Sequence, residues 1–389
     1  MNILEEIQNC PVEWKELGEV VDTVTSPIKL TKKEYQVTGK IPIVDQGEQF
    51  IAGYADNEKY LEKDEYIIFG DHSEHVKYVD FAFIQGADGL KILKPKSSIK
   101  AKYLYYCFCN FYKREGSYKR HWSKARTTLI PIPQSEEIQE KIVQTLDKFT
   151  DYVTELTSEL TSRKKQYSYY RDKLLSFEDE VYQVEWKTLG EVARFNYGYT
   201  DKAKETGDIR FIRITDIDEN GYLKSNDKKY ISLTEESRNY LVKHGDLLMA
   251  RTGATYGKTL FIDTAETSAY ASFLIKITPS EKLNSRYYWH FSKSELYWKQ
   301  ANNLVSKAGQ PQFNANSLKN VKIPIPSLEI QSRIVQVLDN FDMVCNDLNI
   351  GLPKEIELRQ KQYEYFREKL LTFVAEGEYT DSTVQTRHH

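Results

Sequence analysis

The segment VEWKELGEV at residues 12–20 returns as VEWKTLGEV at residues 184–192. Three more segments recur in the same order: IPIP at 130–133 and 323–326, the pattern EIQxxIVQxLDxF from Glu137 and Glu329, and the pattern RxKQYxYxRxKLLxF from Arg163 and Arg359. Self-similarity over such distances indicates that one unit is written twice. The 389 residues, long enough for two or three domains, therefore predict two copies of a globular part followed by a helix.

A long helix is expected after each IPIP segment. Apolar residues from Ile138 onward recur at spacings of three and four, and no Gly or Pro occurs between Gln134 and Phe177. A helix of about 40 residues would be roughly 60 Å long. In the second copy Pro353 predicts a break, because proline lacks the backbone donor that a helix interior requires. We expect the two helices to pack antiparallel on each other, with pairing to a second copy of the chain as the alternative.

The parts before each helix carry the Gly, Pro and turn residues together with short β-rich runs, and each part becomes helical near its end. The predicted fold class is mixed α/β, with two globular α/β domains separated by two long antiparallel coiled-coil helices in an internal pseudo-two-fold repeat. The expected segments are a first globular domain at 1–134, a central helix at 135–178, a second globular domain at 179–327, a C-terminal helix at 328–374 and a polar tail at 375–389.

Charge is distributed unevenly along the chain. The formal net charge is −3, which as an average argues against a partner rich in phosphate. Residues 100–133, however, hold eight basic residues and one acidic residue, and residues 282–326 hold seven and one. Aromatic residues are interleaved with the basic ones in both segments, and most of these aromatics are expected in the core because their spacing is helical. A basic segment at the same place in each copy favours phosphate binding.

Signals for catalysis are weak. The glycines of the segment from Gly253 to Gly257 are one residue too close for a phosphate-binding loop, and no Gly-x-Gly turn supports a dinucleotide or S-adenosylmethionine site. His72 and His75 beside Asp71 lack further ligands at metal spacing, so we interpret them as a surface or DNA-facing pair. No apolar run is long enough for a membrane span, and the N-terminus is unlike a signal peptide, so a cytoplasmic protein without its own active site or metal is expected.

The repeated WKxLGEV start, the IPIP exit, the helix that follows it and the KQYxYxRxKLLxF ending resemble the specificity (S) subunit of type I restriction-modification enzymes. The resemblance covers nearly the whole chain. The segments Asp45-Gln46-Gly47, Phe69-Gly70-Asp71-His72 and Gly86-Ala87-Asp88-Gly89 look like one class of target recognition domain, and the segment at residues 244–253 looks like another.

The resemblance implies a non-catalytic reader of double-stranded DNA. Each recognition domain would read one half of an asymmetric bipartite target, and the spacer helices would set the distance between the halves. Two modification subunits with S-adenosylmethionine would methylate adenine, and restriction subunits with ATP and magnesium would cleave DNA, while this chain binds no cofactor. The spacer residues expected to contact those partners are Gln139, Phe149, Tyr167, Arg171, Gln331, Phe341, Tyr363 and Arg367.

Side chains able to form paired hydrogen bonds with base edges are the candidates for sequence reading. In the second domain we predict Arg213 and Arg251 for guanine and Gln310 and Gln312 for adenine, with Thr252, Lys258 and Lys307 nearer phosphate. In the first domain the candidates are His72, Lys77, Lys119, Arg120, Lys124 and Arg126.

Three alternatives stay open on the sequence. A solitary S-subunit homologue could regulate an intact system as a DNA-binding protein, and a coiled-coil scaffold could carry the basic segments incidentally. A stand-alone methyltransferase or nuclease would need cofactor loops that the sequence lacks.

Overall fold

The protein is described by a computed structural model over residues 3–96, 98–177, 184–306 and 310–373. Packing divides the chain into two compact units: unit 1 comprises residues 1–155 and 357–389, and unit 2 comprises residues 156–356. The segment limits drawn from the sequence stay a prediction beside this division. No helix in the described ranges combines the length and the apolar character needed to cross a membrane.

Unit 1 begins with a globular part of short helices and strands. Its helices are α1 (Ile3–Gln8), α2 (Leu17–Val20), α3 (Ala101–Phe111) and α4 (Trp122–Ala125). Its strands are β1 (Val12–Glu16), β2 (Val21–Val24), β3 (Lys29–Leu30), β4 (Ile41–Val44), β5 (Gly53–Ala55), β6 (Tyr66–Gly70), β7 (Val76–Val79), β8 (Ile84–Gly86), β9 (Leu90–Pro95) and β10 (Leu129–Pro133). Helix α5 (Glu136–Ser176) follows without interruption, as predicted.

The globular part of unit 2 repeats this plan. Its helices are α6 (Leu189–Val192), α7 (Ser285–Phe291), α8 (Glu295–Leu304) and α9 (Ala315–Lys319). Its strands are β11 (Glu185–Thr188), β12 (Ala193–Tyr197), β13 (Ile209–Ile212), β14 (Tyr230–Ile231), β15 (Leu241–Val242), β16 (Leu247–Ala250), β17 (Thr259–Phe261), β18 (Ser268–Tyr270), β19 (Leu274–Pro279) and β20 (Lys322–Ile325). The chain ends in α10 (Leu328–Asn346) and α11 (Leu352–Thr372).

The sheets confirm the duplication. An antiparallel four-stranded sheet in unit 1 has the order β2-β9-β6-β7, and its counterpart in unit 2 has the order β12-β19-β16-β17. Each unit adds a mixed four-stranded sheet, ordered β3-β8-β4-β5 in unit 1 and β14-β13-β18-β15 in unit 2. A two-stranded ribbon, β1-β10 or β11-β20, closes each globular part.

The ribbons explain where the repeated segments belong. Trp14 lies opposite Pro131 in one ribbon, and Trp186 lies opposite Pro324 in the other. Proline cannot donate a backbone hydrogen bond and is tolerated on edge strands. Because alternate N–H groups of a strand point to opposite edges, prolines two residues apart remove donors from one edge only, and the IPIP segment can still pair along the other edge.

The long helices pack side by side within each unit. In unit 1, Phe149 of α5 stacks on Phe366 of α11 at a ring distance of 5.1 Å. In unit 2, Tyr170 of α5 stacks on Phe341 of α10 at 5.5 Å. Residues later in α5 meet residues earlier in the C-terminal helices, so the helices run antiparallel as predicted.

The predicted break in the C-terminal helix is also present. Helix α10 ends at Asn346, and α11 begins at Leu352 with Pro353 in its first turn. Gly351 is required at the break, because a Cβ there would approach the carbonyl oxygen of Met343 to 2.5 Å.

Most aromatic residues of the two basic segments are buried, as expected from their helical spacing. Tyr103 in α3 donates to the carbonyl of Pro131 at 2.7 Å, and Tyr287 in α7 donates to Pro324 at 3.0 Å. The same tyrosine therefore ties helix to ribbon in both units. Tyr118 is an exception, with 90% of its surface exposed.

Candidate nucleic-acid interface

In unit 2 two distant segments pair to form one surface, here called face 2 (residues 251–253 and 310–313). The N–H of Gly253 donates to the carbonyl of Pro311 at 3.2 Å, and the N–H of Phe313 donates to that of Arg251 at 2.7 Å. Between them Thr252 and Gln312 form an antiparallel bridge. Face 2 thus assembles four of the predicted residues, Arg251, Thr252, Gln310 and Gln312.

Neighbouring groups orient the guanidinium of Arg251. Its Nε donates to the carbonyl of Ser272 at 3.0 Å, and its guanidinium lies 5.3 Å from the ring of Tyr197 and 5.5 Å from that of Phe273. Both rings are about half exposed. Within the described part of the chain the two terminal nitrogens of Arg251 have no hydrogen-bond partner. This is a guanidinium oriented by the protein with two donors left for a ligand.

The other predicted residues of unit 2 differ in their surroundings. Gln310 and Gln312 are exposed beside Arg251, whereas Thr252 is buried and contributes through its backbone. Lys258 is half-buried in a cleft described below. Lys307 lies outside the described residues.

Arg213 is occupied by a carboxylate. Its Nη2 donates to Asp216 Oδ1 at 2.8 Å and its Nε to Asp216 Oδ2 at 3.2 Å, and Nη2 also reaches the carbonyl of Asp227 at 3.0 Å. Hydrogen bonding to Asp216 raises the pKa of Arg213 above its ordinary value. The side chain therefore closes the loop between residues 213 and 227, and we assign it that structural role rather than guanine reading.

Unit 1 has a surface at the matching place, here called face 1 (residues 71–75 and 113–121). The N–H of His121 donates to the carbonyl of Asp71 at 2.8 Å, just as the N–H of Phe313 does to Arg251. Asp71 Oδ1 also accepts from the N–H groups of His121 and Trp122 at 2.9 and 2.8 Å. Both faces therefore form where the chain leaves a central strand, β6 or β16, and meets the segment before a short helix.

A buried glutamate shapes the long loop of face 1. Glu74 is 2% exposed and has a positive φ of 57°. Its carboxylate accepts the hydroxyl of Tyr112 at 2.5 Å and the N–H groups of Glu115 and Gly116 at 2.9 and 2.8 Å. Burial by itself would raise the pKa of Glu74, but these hydrogen bonds outweigh burial and lower the pKa. Glu74 was not among the predicted residues, since no motif marks an acidic anchor.

His72 connects the two segments of face 1. Its Nδ1 lies 3.1 Å from the carbonyl oxygen of Lys119, and its ring stacks on the exposed ring of Tyr118 at 5.2 Å. Lys119 and Arg120 are exposed at the loop end. Face 1 thus presents a histidine–tyrosine stack beside two cations.

The three predicted lysines of unit 1 have partners within the protein. Lys119 and Lys124 both form ion pairs with Glu115, at 2.5 and 2.6 Å. Lys77 is buried, and its ammonium donates to the carbonyls of Asp45 at 2.8 Å and Gln49 at 2.5 Å, which closes the loop between them. Burial lowers the pKa of Lys77. We assign Lys77 this structural role rather than a DNA contact.

Arg126 lies beside the ribbon of unit 1. A Cβ on Gly18 would come within 3.2 Å of its Nε, and Lys319 stands in the same relation to Gly190 in unit 2. Both cations are exposed and recur in the two units, so Arg126 belongs to the repeated frame rather than to face 1.

The predicted partner residues Gln139 and Gln331 are both buried. Gln139 accepts from the N–H of Lys100 at 2.9 Å and donates to the carbonyl of Ser98 at 3.1 Å. Gln331 accepts from the N–H of Asn284 at 2.8 Å and donates to two carbonyls, of Lys282 and Pro326, both at 2.9 Å. Each glutamine locks a long helix onto its own globular part, so neither is available to a partner.

The aromatic spacer residues serve mainly the packing between helices. Phe149 and Phe341 are half-buried in the stacks described above, and Tyr167 is buried with its hydroxyl 3.1 Å from His290 Nδ1. The cations at the matching places, Arg171 and Arg367, lie over the rings of Tyr167 and Tyr363 at 5.6 and 5.4 Å. The ring stacks hold the helices together, whereas each arginine contacts a ring of its own helix, and partner binding by these residues stays a prediction.

Comparison with known proteins agrees with this architecture. The family described as "Type I restriction modification DNA specificity domain" matches residues 11–163 and 183–358, one match in each repeat. The Escherichia coli type I restriction enzyme EcoR124I/EcoR124II specificity subunit is 36% identical over 96% of this chain and 97% of its own length. A specificity subunit assigned only putatively in Haemophilus influenzae is 32% identical over 94% of this chain and 97% of its own length.

Solved structures share the fold. The S subunit of a type I restriction-modification system from M. genitalium superposes with a TM-score of 0.62 at 15% identity, covering 94% of this chain and 98% of that one. A chain from a structure concerned with complex assembly and conformational transition of the type I R-M system gives a TM-score of 0.58 at 17% identity, with 94% and 100% covered.

The two family matches and the duplicated fold define the class as a DNA specificity subunit of restriction-modification systems. The chain belongs to the type I restriction-modification DNA specificity family. Its function is recognition of a DNA sequence within such a system, and subunits of this class bind DNA and assemble with the other subunits of the system.

Proposed function

We propose that the chain reads an asymmetric bipartite DNA target, with face 1 on one half-site and face 2 on the other. The observation that carries this is the shared backbone frame of the two faces, filled by different side chains. Face 2 presents Arg251, Gln310 and Gln312, which suit guanine and adenine edges, whereas face 1 presents His72, Tyr118 and Arg120. Because the side chains differ, the two half-sites should differ.

The chemistry belongs to partners in this proposal. Two modification subunits with S-adenosylmethionine methylate adenine, and restriction subunits with ATP and magnesium cleave unmodified DNA, all in the cytoplasm. The chain supplies the recognition of the DNA target and binds none of these cofactors. Two major-groove readers on one side of the duplex lie about 34 Å apart, which is one helical turn of DNA. A helix of 41 residues such as α5 is roughly 60 Å long and therefore long enough to span that distance.

Arg251 provides the direct test. Arg251→Ala in the full chain, assembled with its modification subunits, should weaken binding and relax one position of one half-site by about 1–3 kcal/mol. Arg251→Lys should retain most affinity but lose the preference, since lysine lacks the planar fork. Competition binding against a panel of single-base variants measures both effects. Arg238→Ala, an exposed arginine of the same unit, is the control and should change neither.

An unchanged base preference in Arg251→Ala would reject face 2 as the reader. The target itself is obtained by mapping methylated adenines genome-wide with and without this gene. A two-part motif with an unread spacer should disappear when the gene is removed. Loss of a single continuous motif would contradict the bipartite proposal.

A further inference from the structure

A cleft of about 290 Å³ lies in unit 2 where α5, α10 and the globular part meet. Four cations line it: Lys164 and Arg171 from α5, and Lys258 and Lys293 from the globular part. Among the residues lining it, Glu219 is the carboxylate, and Asn220 and Asn346 add amide groups. No residue of face 2 lines this cleft.

Two of the four cations have carboxylate partners outside the cleft wall. Arg171 pairs with Asp172 at 3.2 Å, and Lys293 pairs with Asp342 at 3.2 Å. Lys164 and Lys258 form no ion pair with any described residue. Among the lining residues Glu219 is the carboxylate that offsets these two charges, so the cleft keeps an excess of positive charge.

The surroundings of Lys293 hold charges of both signs. Burial lowers the pKa of Lys293, and repulsion from Arg286 and Arg171 lowers it further, although Asp218 and Asp339 act in the opposite direction. A bound anion would relieve this repulsion. The volume is at the lower end of ligand pockets, which suits a small anion rather than a large organic ligand.

Two of the four cations are specific to unit 2. The two repeats align so that Gln360 in α11 matches Lys164, and Cys109 in α3 matches Lys293. Unit 1 therefore builds the same junction with neutral residues at both places. Arg171 has its counterpart in Arg367, whereas Lys164 and Lys293 are carried by unit 2 alone, and cations that only one repeat carries point to a ligand rather than to folding.

We propose that this cleft binds a phosphate group, held by Lys164, Lys258 and Arg171 with the asparagine amides as further donors. Arginine and lysine donate charge-assisted hydrogen bonds to phosphate oxygens, and the two lysines with no ion pair to a described residue can do so. The phosphate belongs either to the backbone of bound DNA or to a free phosphorylated molecule. The site is independent of base reading by face 2.

Calorimetric titration of the full chain with pyrophosphate tests the site. One ion should bind per chain, and Lys164→Gln or Lys258→Gln should each weaken binding about tenfold, as expected for losing one charge-assisted hydrogen bond. Lys164→Gln places in unit 2 the residue that unit 1 already carries. Lys165→Gln, an exposed neighbour on α5 that does not line the cleft, is the matched control and should bind as the unchanged chain does.

Absence of pyrophosphate binding, or equal weakening by Lys165→Gln, would overturn the proposal. Unchanged thermal unfolding of the exposed Lys164→Gln variant separates loss of the site from loss of the fold. Arg251→Ala should still bind pyrophosphate, so failure of base reading and failure of this site are distinguishable. Displacement of pyrophosphate by a duplex without the target assigns the site to the DNA backbone, and absence of displacement assigns it to a free phosphorylated ligand.

Discussion

The two junctions between a long helix and its globular part share a frame. In unit 1, Asp147 of α5 accepts from Lys102 at 2.7 Å and from the hydroxyl of Tyr106 at 2.6 Å. In unit 2, Asp339 of α10 lies 2.7 Å from Arg286 Nε and 2.7 Å from His290 Nε2. A half-buried helix carboxylate thus receives a cation and a second donor in both units.

One turn further the junctions diverge. Unit 2 adds the ion pair between Lys293 and Asp342, and Asp342 is 1% exposed. The aligned residues of unit 1 are Cys109 and Thr150, which carry no charge there. The difference teaches that duplication kept the helix carboxylate with its two donors, while the neighbouring side chains changed their chemistry.

The largest expected effect concerns the shared frame. Gln331→Ala leaves one N–H and two carbonyls unsatisfied and should destabilise unit 2 by about 3 kcal/mol, while Gln139→Ala leaves one of each and should cost unit 1 about 2 kcal/mol. Hydrogen exchange of the α7 and α3 amides measures each unit by itself. Gln144→Ala and Gln336→Ala, exposed on α5 and α10, should cost nearly nothing. Equal, negligible costs for all four substitutions would show that the buried glutamines do not hold the helices.

The next expected effect distinguishes the two junctions by how stability depends on pH. Burial lowers the pKa of His290 from 6.5 to about 4, so between these values the unfolded state binds more protons, and this contribution to stability is lost as the pH falls. Burial raises the pKa of Asp342, so its contribution has the opposite slope and is lost as the pH rises. Asp342→Asn should therefore make the acid loss of unit 2 steeper, by up to about 1.4 kcal/mol per pH unit.

Denaturant titrations followed by fluorine NMR at fluorotryptophan-labelled Trp289 would report this slope. Adding His290→Gln to Asp342→Asn should flatten it again, since glutamine can still donate to Asp339 but does not titrate. The comparison between junctions fails at this point if Asp342→Asn leaves the slope of unit 2 unchanged between pH 6.5 and pH 4.

The smallest expected effect is on DNA binding by face 1. Face 1 carries Glu115 between Lys119 and Lys124, and hydrogen bonds from both lysines hold the pKa of that carboxyl low. Glu115→Gln should release both lysines and tighten DNA binding roughly twofold, with a log–log salt slope steeper by about 0.9 for each new phosphate contact. Glu13→Gln, whose partner is Lys15 at 3.0 Å, is the control in the same unit. Unchanged salt dependence would place the loop away from phosphate.

The sequence predicted the elements well because their signals are local. The spacing of apolar residues after Ile138 predicts the long helix α5, and Pro353 predicts the break before α11. It also selected Arg251, Gln310 and Gln312, which the fold then brought together on face 2.

The sequence could not separate exposed polar residues from buried ones. Three side chains have the donors expected of base or phosphate readers, yet each is hydrogen-bonded to another group of its own unit: Lys77, Arg213 and Gln331. Glu74 carried no signal, because its role depends on backbone N–H groups more than 40 residues away in the chain. Whether a polar group is free is decided by such long-range neighbours, which spacing does not encode.

By itself, then, the sequence determined the duplication, the presence of the long helices and the site of their break. The repeated segments can be read directly from the sequence, and periodicity and proline act over a few residues. Only the tertiary structure decided which side chains remain available on the two faces and that unit 2 gathers four cations around a cleft. Those outcomes depend on hydrogen bonds and burial between distant segments, where a partner such as the carbonyl of Asp45 either satisfies a cation or leaves it for a ligand.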